Sequence, residues 1–235
     1  MNARKKIVVF TGAGASADSG ISTFRDADGL WDRYRIEDVC TPEALLRNRE
    51  TVIGFYNTRR RELLSKAPNA GHFAIRKLEE RFDVEVITQN IDDLHERAGS
   101  SRVTHLHGEL RKLRSSADES LVVPIDGWEQ PLDARAPDGS LLRPFVVFFG
   151  EGVPMFDRAA RIASEADMMI VAGTSLAVYP AASLVRYLRP DVPVWVVDPG
   201  RPDLSGIRNP VEFIPMRSAE GMPALVERLI AEYGA

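Results

Sequence analysis

An α/β fold built on a doubly wound parallel sheet, with a small second lobe, is what this 235-residue sequence predicts. Three observations carry that reading. Short β-rich apolar runs recur along the chain, helical patterns alternate with the later ones, and a glycine turn, "TGAGASA", follows directly on the first run. Runs that are apolar throughout, rather than at every second residue, belong to strands buried on both faces. Their alternation with helices is the βαβ pattern of a parallel sheet.

In order, the first strand is read over "IVVF", residues 7–10. Gly12, Gly14 and Ala17 then satisfy G-x-G-x-x-G/A, the fingerprint of a Rossmann-like dinucleotide site. Its physical meaning is a backbone that can approach a pyrophosphate with unpaired amides directed at the charge. A tight strand-to-helix turn uses the same residues for no ligand at all. A polar loop, "SGISTFRDADGLWDRY", then stands where an ordinary fingerprint has a long helix. In it, Phe24 and Arg25 either close over a cofactor or serve as a loop anchor and a solvated charge.

Residues 27–66 read as helices: Thr41 and Pro42 suit an N-cap and first position, and "NRETVIGFYNTRRRELL" has helical periodicity. Further strands are read at "VEVIT" (84–88), "VTHLH" (103–107), "FVVFF" (145–149), "MMIVAG" (168–173), "VPVWVVD" (192–198) and "EFIP" (211–214). Helices are read at "MFDRAARIASEA", "YPAASLVRYLR" and "SAEGMPALVERLIAEY". Residues 110–143 are polar, carry Pro124, Pro131 and Pro137, and show little periodicity. Both irregular stretches are read as insertions into a single domain spanning residues 1–235. The large lobe then covers about 1–26, 67–109 and 144–235, and a small, mainly helical lobe covers about 27–66 and 110–143. A cleft between lobes is where a ligand is expected.

Charges of both signs are mixed and the net charge is −4, so no field draws the chain to nucleic acid or an acidic membrane. "MNARKK" precedes only four apolar residues, too few for a signal-peptide core, and no apolar run approaches the ~20 residues that span a bilayer. A soluble, cytoplasmic protein is expected. Cys40 is the single cysteine, which rules out an intramolecular disulfide and a cysteine-rich zinc cluster.

Two polar constellations follow predicted strands. In "TQNIDDLHERAG", Gln89, Asn90 and Asp92 bring two amides and a carboxylate to the carboxyl end of a strand, where open α/β sheets bind ligands. The set suits ribose hydroxyls and a carboxamide; Asn90 or Asp92 as a helix cap is the plainer alternative. In "THLHGEL", His105 and His107 share a face if the strand is regular, and His107 stands at its exit. A histidine there is either a general base or a structural residue. The four histidines and one cysteine show no metal-ligand spacing.

Taken in sequence, "GAGASADSGISTFR", "TQNIDDLHERAG", "HGEL", "RPFVVFFGE", "GTSLAVYPAASL" and "VVDPG" resemble the sirtuins, NAD-dependent protein-lysine deacylases, from about Ile7 to Pro199. The resemblance implies that the loop after the glycine turn is a flap over the nicotinamide side of NAD, a co-substrate consumed in the reaction. It implies that Gly12, Ala13, Gly14 and Ala15 line the phosphates and adenosine ribose, with Phe24 and Arg25 on the flap. Gln89 is implied at the nicotinamide ribose, and Asn90 and Asp92 in the nicotinamide pocket, where Asn90 also counts as catalytic. Gly173, Thr174 and Ser175 are implied on the far side of NAD, with Asp198 near the adenosine. His107 is implied as the base that activates a ribose hydroxyl, leaving His105 structural. Nicotinamide, free lysine and acyl-ADP-ribose are the implied products.

"FVVFFGE" is implied to pair with the acylated peptide by strand addition, with Val147 and Phe149 flanking the lysine tunnel and Gly150 and Glu151 completing the substrate site. Tyr56 and Arg59, three apart on a predicted helix, resemble the Tyr-x-x-Arg pair of the subgroup that removes succinyl, malonyl and glutaryl groups, and Ala17 matches that subgroup's small pocket residue. An ordinary solvated helix face is the alternative, since Arg60 and Arg61 follow at once. One departure stands out: sirtuins typically carry four zinc-binding cysteines where residues 111–143 here carry none. No zinc is therefore expected, the small lobe being held instead by Leu113, Leu121, Val122, Val123, Ile125, Trp128 and Leu132. Acylated proteins or peptides are the expected partners of a monomeric enzyme. The same NAD site could also serve a mono-ADP-ribosyltransferase, an NAD hydrolase or a non-enzymatic NAD sensor.

Overall fold

The structure, a computed structural model, describes residues 4–22 and 34–234. The first half of the chain forms β1 (Lys6–Thr11), α1 (Gly14–Ala17), α2 (Ile36–Val39), α3 (Pro42–Arg47), α4 (Arg49–Leu64), α5 (Ala70–Leu78), β2 (Asp83–Thr88), α6 (Leu94–Arg97), β3 (Val103–His105) and β4 (Gly108–Ser115). The second half forms β5 (Val122–Pro124), β6 (Leu142–Val146), α7 (Phe156–Ser164), β7 (Met168–Ala172), a 3₁₀ helix (Ala181–Tyr187), β8 (Val194–Val197), β9 (Val211–Ile214) and α8 (Ser218–Tyr233).

Six strands make one sheet in the order β3-β2-β1-β7-β8-β9, every neighbouring pair parallel. The continuous apolar runs are explained by an apolar layer on each face. Ile7, Val9, Val86 and Ile170 pack toward Ile75 and Leu78 of α5 and Leu225 and Val226 of α8. Val8, Phe10, Val171 and Val196 pack on the other side toward Ala159 and Ala163 of α7 and Leu184 of the 3₁₀ helix. Each fully buried Val, Ile or Phe contributes about 1.5–3 kcal/mol, so the two layers fix the sheet. The strand order reverses at β1, which pairs with β2 on one side and β7 on the other. That reversal opens a crevice at the carboxyl ends of these three strands.

One sequence expectation is refined and two are corrected. "YPAASLVRYLR" is helical as read, but as a 3₁₀ helix that follows Pro180 and ends where Leu188 takes an extended backbone (φ −67°, ψ 147°). "FVVFF" is not part of the parallel sheet: its strand covers Leu142–Val146 and pairs antiparallel with β4. Residues 110–143 are not without regular structure, because β5, β4 and β6 form a three-stranded antiparallel sheet. The register of β4 shifts between Gly108 and Leu113, and its outward positions carry Arg and Lys. A shifted register and charged outer face erase the alternation that marks a strand.

The two stretches set apart in the sequence do pack together. Thr41 caps α3, its Oγ1 accepting from the Ala44 amide at 3.1 Å with Pro42 in the first turn. Arg60 of α4 is completely buried, and its guanidinium gathers the later insertion. It donates to the carbonyls of Leu110 (2.9 Å) and Trp128 (3.1 Å) and to the side-chain oxygens of Asn57 (2.5 Å) and Gln130 (3.3 Å). Arg49 donates to the carbonyls of Leu132 and Leu142, and Arg61 lies 3.8 Å over the Trp128 ring. Of the apolar residues expected to hold this region, Leu113 and Ile125 are buried and Val123 packs against them. Val122 and Leu132 are exposed, so buried arginine hydrogen bonds supply much of what apolar packing was expected to supply.

Candidate active site

The crevice at the strand reversal collects the polar motifs. The loop after β1 and the loop after β7 interleave there: the amide of Gly14 donates to the Gly173 carbonyl at 2.8 Å, and that of Gly12 to the Ala172 carbonyl at 3.2 Å. A Cβ on Gly12 would lie 2.7 Å from Cβ of Thr174, and one on Gly14 2.8 Å from Cα of Gly173. Gly173 has φ +62°, and its Cβ would stand 2.1 Å from the Ala15 nitrogen. The glycines thus serve the meeting of two backbones. This corrects the expectation of open amides, because those of Gly12, Gly14, Ala15 and Ser16 all donate within the protein. Phe24 and Arg25 lie outside the described residues.

Gln89, Asn90 and Asp92 come to the same place from the end of β2. Gln89 Nε2 donates to Thr174 Oγ1 at 3.0 Å, joining the β2 and β7 loops. Asn90 Nδ2 donates to the Gly12 carbonyl and to Ser16 Oγ, both at 3.1 Å. Ser16 Oγ donates to Asp92 Oδ2 at 2.9 Å, and Asp92 Oδ1 accepts from the Leu94 amide at 3.1 Å. Asp92 therefore holds the first amide of α6 from one residue before the N-cap, Asp93, and it also faces the glycine loop. Burial raises its pKa, against the pull of these two hydrogen bonds. Ser16, which sequence reasoning passed over, is the hub of this group, and His72 Nε2 lies 3.5 Å from it on the other side. Its place in "GAGAS" was the only signal.

The two histidines of "THLHG" grip consecutive carbonyls of the β2 loop. His105 Nδ1 donates to the Asn90 carbonyl at 2.8 Å, and His107 Nδ1 to the Gln89 carbonyl at 3.0 Å. A carbonyl only accepts, so His107 carries its proton on Nδ1 and leaves a lone pair on Nε2. Burial lowers its pKa, with the Gln89 bond opposing, and the ring is neutral near pH 7. His105 differs, since its Nε2 also meets an acceptor, Glu96 Oε1 at 2.8 Å. Burial would lower its pKa, but the hydrogen bond and charge of Glu96 outweigh that and raise it.

Of the residues expected at the substrate, Tyr56 is buried, its hydroxyl 3.5 Å from Cys40 Sγ and its ring stacked on Phe148. Arg59 is half-buried and close enough for its charge to lower the pKa of both Tyr56 and Cys40, against the larger effect of burial, which raises them. Val147 is half-buried, while Phe149 and Gly150 are exposed. Glu151 is not directed at a substrate: Arg143 and the Phe148 amide occupy both its oxygens. Phe148 itself was missed, its apolar neighbours masking it in sequence. Ser175 and Asp198 line an open groove with Gly200, Arg201, Pro202 and Asp203, and Asp198 Oδ1 accepts from the Gly200 amide at 2.8 Å.

The polar groups between this groove and Asp92 suit a dinucleotide: amides, hydroxyls and a carboxylate, with a neutral histidine beside them. A tetrahedral cysteine zinc site does not fit, because the one cysteine, Cys40, is buried against Tyr56.

A protein of Bacteroides thetaiotaomicron named NAD-dependent protein deacylase is 48% identical over 231 residues, covering 96% of this chain and 98% of its own. A crystal structure of a Sir2 homologue–NAD complex matches with a TM-score of 0.86 at 40% identity, over 97% of this chain and 90% of that one. A mutant Sir2 homologue in complex with 2′-O-acetyl ADP ribose matches with a TM-score of 0.86 at 38% identity, over 99% and 94% of the two chains. The Sir2 family itself is matched over residues 12–180, and with that the chain, a Rossmann-like α/β protein, belongs to the Sir2 family.

Proposed function

We propose that this protein is an NAD-dependent protein-lysine deacylase that moves the acyl group of an acyl-lysine to ADP-ribose and releases nicotinamide. The single observation that carries this reading is His107, neutral and held by the Gln89 carbonyl so that Nε2 is left as an acceptor beside the β2 loop. NAD, when bound, supplies an activated glycosidic bond and the ribose that takes up the acyl group. Within the chain, Asp198 and Ser175 hold the adenosine end, and Gly12, Ala13, Gly14, Ala15, Gly173 and Thr174 form the loops beside the phosphates. Gln89 takes the nicotinamide ribose, and Asn90 and Asp92 the nicotinamide, braced by Ser16. His107 Nε2 accepts the proton of a ribose hydroxyl and so turns it into a nucleophile.

The acyl-lysine enters beside Val147 and Phe149. The amides of Val147 and Phe149 donate to the carbonyls of His107 and Cys40, so pairing with a peptide must use the remaining backbone groups of this segment. For the acyl group we favour a carboxylate-bearing chain such as succinyl or malonyl, with acetyl as a secondary substrate. Tyr56 and Arg59 support this, placing a hydroxyl and a cation on one side of α4. The helices α2–α4 and the antiparallel sheet act as a small lobe that needs no zinc. The enzyme is taken to work in the cytoplasm as a monomer on acylated proteins; no helix among the described residues is long and apolar enough to cross a membrane.

Incubation with NAD, with and without an acyl-lysine peptide, tests the reading. Nicotinamide release that depends on peptide, with acyl-ADP-ribose as product, is expected. Release at the same rate without peptide identifies an NAD hydrolase or ADP-ribosyltransferase instead, and no release a sensor.

A further inference from the structure

Glu151 follows the segment that the deacylase reading assigns to the peptide, yet its carboxylate is turned inward. Arg143 Nη1 donates to Glu151 Oε1 at 2.6 Å and Nη2 to Oε2 at 3.2 Å, a two-pronged pair, while Arg114 Nη2 approaches Oε1 at 3.4 Å. Glu151 Oε2 also accepts the Phe148 amide at 2.7 Å, and the Glu151 amide returns to the Phe148 carbonyl at 3.0 Å. The pair is largely sheltered, with side-chain exposures of 7% for Arg143 and 20% for Glu151. Burial alone would raise the Glu151 pKa; the Arg143 hydrogen bond, the Phe148 amide and the charges of Arg143 and Arg114 together outweigh it and lower the pKa, so the carboxylate stays charged.

Three consecutive amides are thereby anchored to three different parts of the molecule. Val147 donates to the carbonyl of His107, at 3.0 Å, Phe148 to Glu151, and Phe149 to the carbonyl of Cys40 at 2.9 Å. The first anchor is the proposed catalytic base and the third is the residue whose thiol faces the Tyr56 hydroxyl. The Arg143 guanidinium lies 3.9 Å over the Phe148 ring, which stacks on Tyr56. We propose that Arg143 and Glu151 are positioning residues that hold Val147–Phe149 in register with His107 on one side and the Tyr56 pocket on the other, so that they set affinity for the acyl-peptide. The inference rests on the deacylase reading and deepens it: neither residue touches substrate, and the ion pair acts through Phe148. Removing Glu151 strands Arg143 in a sheltered site, and removing Arg143 leaves Glu151 only the longer contact to Arg114, so the middle anchor loosens while the outer two persist.

The test uses Glu151→Gln, Arg143→Lys and Arg143→Met in the full chain. Glu151→Gln keeps shape and one acceptor but loses the charge; the expected result is a KM for acyl-peptide raised about tenfold or more, with kcat changed less than about threefold. The NAD dissociation constant, measured by calorimetry without peptide, should stay within about twofold of wild type. Arg143→Lys should recover part of what Arg143→Met loses, because a lysine keeps the charge but neither the fork nor the stacking. A folded Glu151→Gln whose peptide KM is unchanged overturns the proposal, as does NAD binding weakened as much as peptide binding, since that reports general loosening. If Glu151→Gln does not fold, Arg143→Lys decides by the same split. Should wild type release no nicotinamide in response to peptide, the deacylase reading fails first. The positioning claim is then decided by hydrogen exchange at the Phe148 amide, which must be protected in wild type and markedly faster in Arg143→Lys.

Discussion

The rings of Tyr56 and Phe148 stack at 5.8 Å between centroids with their planes 20° apart, which joins helix α4 to the segment following β6. Arg59 lies one turn along α4 from Tyr56 and acts electrostatically on its hydroxyl. On the proposed reading, an acyl chain ending in a carboxylate would be directed toward both groups. A hydrogen bond to a charged partner is worth about 1.5–3 kcal/mol, so Arg59→Met should lower kcat/KM on succinyl-lysine peptide roughly 10- to 100-fold. The same substitution should leave acetyl-lysine kcat/KM nearly unchanged. Acetyl preferred by wild type, or a ratio that does not move, would count against the carboxylate-bearing substrate.

His107→Tyr should reduce deacylation by about 10²–10⁴-fold, the usual worth of a general base, without unfolding the protein. NAD binding should survive, because the Gln89 carbonyl loses only one partner and the glycine loop is held by β7. Product formation followed by mass spectrometry and NAD binding followed by calorimetry separate the two effects.

Acid should destabilise the fold through the histidines beneath the glycine loop. Burial pushes the His72 pKa down to about 4, and burial, with the charges of His72 and His105 adding, pushes that of His95 well below its usual value. Both folded values lie below the unfolded value of about 6.5, so the unfolded chain takes up more protons. Their contribution is complete above about pH 6.5 and is lost as pH falls through about 4 for His72. Urea midpoints measured from pH 7.5 downward should decline across that window, and His72→Asn should flatten the decline.

Gly173→Ala is expected to abolish measurable NAD binding. A Cβ at this position would meet the Ala15 nitrogen at 2.1 Å in a backbone with φ +62°, so the β1 and β7 loops cannot keep their interleaving. Gly150→Ala has the same kind of φ, +89°, but nothing near its Cβ, and should retain NAD affinity. Comparing the two variants by calorimetry isolates the clash from the backbone strain.

Arg60→Met should cost about 3 kcal/mol or more, because it strands several buried carbonyl and amide oxygens in the second insertion. Chelators should not produce a similar loss in wild type. A large melting shift with EDTA, or stoichiometric zinc in purified protein, would refute the zinc-free lobe.

The parallel sheet was legible because strands buried on both faces leave unbroken apolar runs, and α8 was readable to the residue. His107 and the Gln89–Asp92 loop stood out since strand ends and polar clusters are visible in one dimension. The antiparallel sheet was not, its longest strand having a register shift and a charged outer face. Ser16 and Phe148 escaped for another reason. What each does depends on partners more than 70 residues away, Asn90 and Asp92 for the serine and Tyr56 for the phenylalanine, and a serine or phenylalanine carries no mark of such a role. Glu151 was placed at the substrate because its neighbours are read there, whereas its own charge is answered from within by Arg143.

His105 and His107 stand two residues apart, and each hangs from a neighbouring carbonyl of the same loop. What lies beyond the second nitrogen separates them. Glu96 meets the second nitrogen of His105 and raises its pKa against burial, which favours the charged form. His107 leans only on the neutral dipole of Gln89, so a proton taken up at Nε2 is held by no counter-charge in its hydrogen bonding and is readily surrendered. One histidine is braced toward its charged form; the other is biased toward giving its proton up.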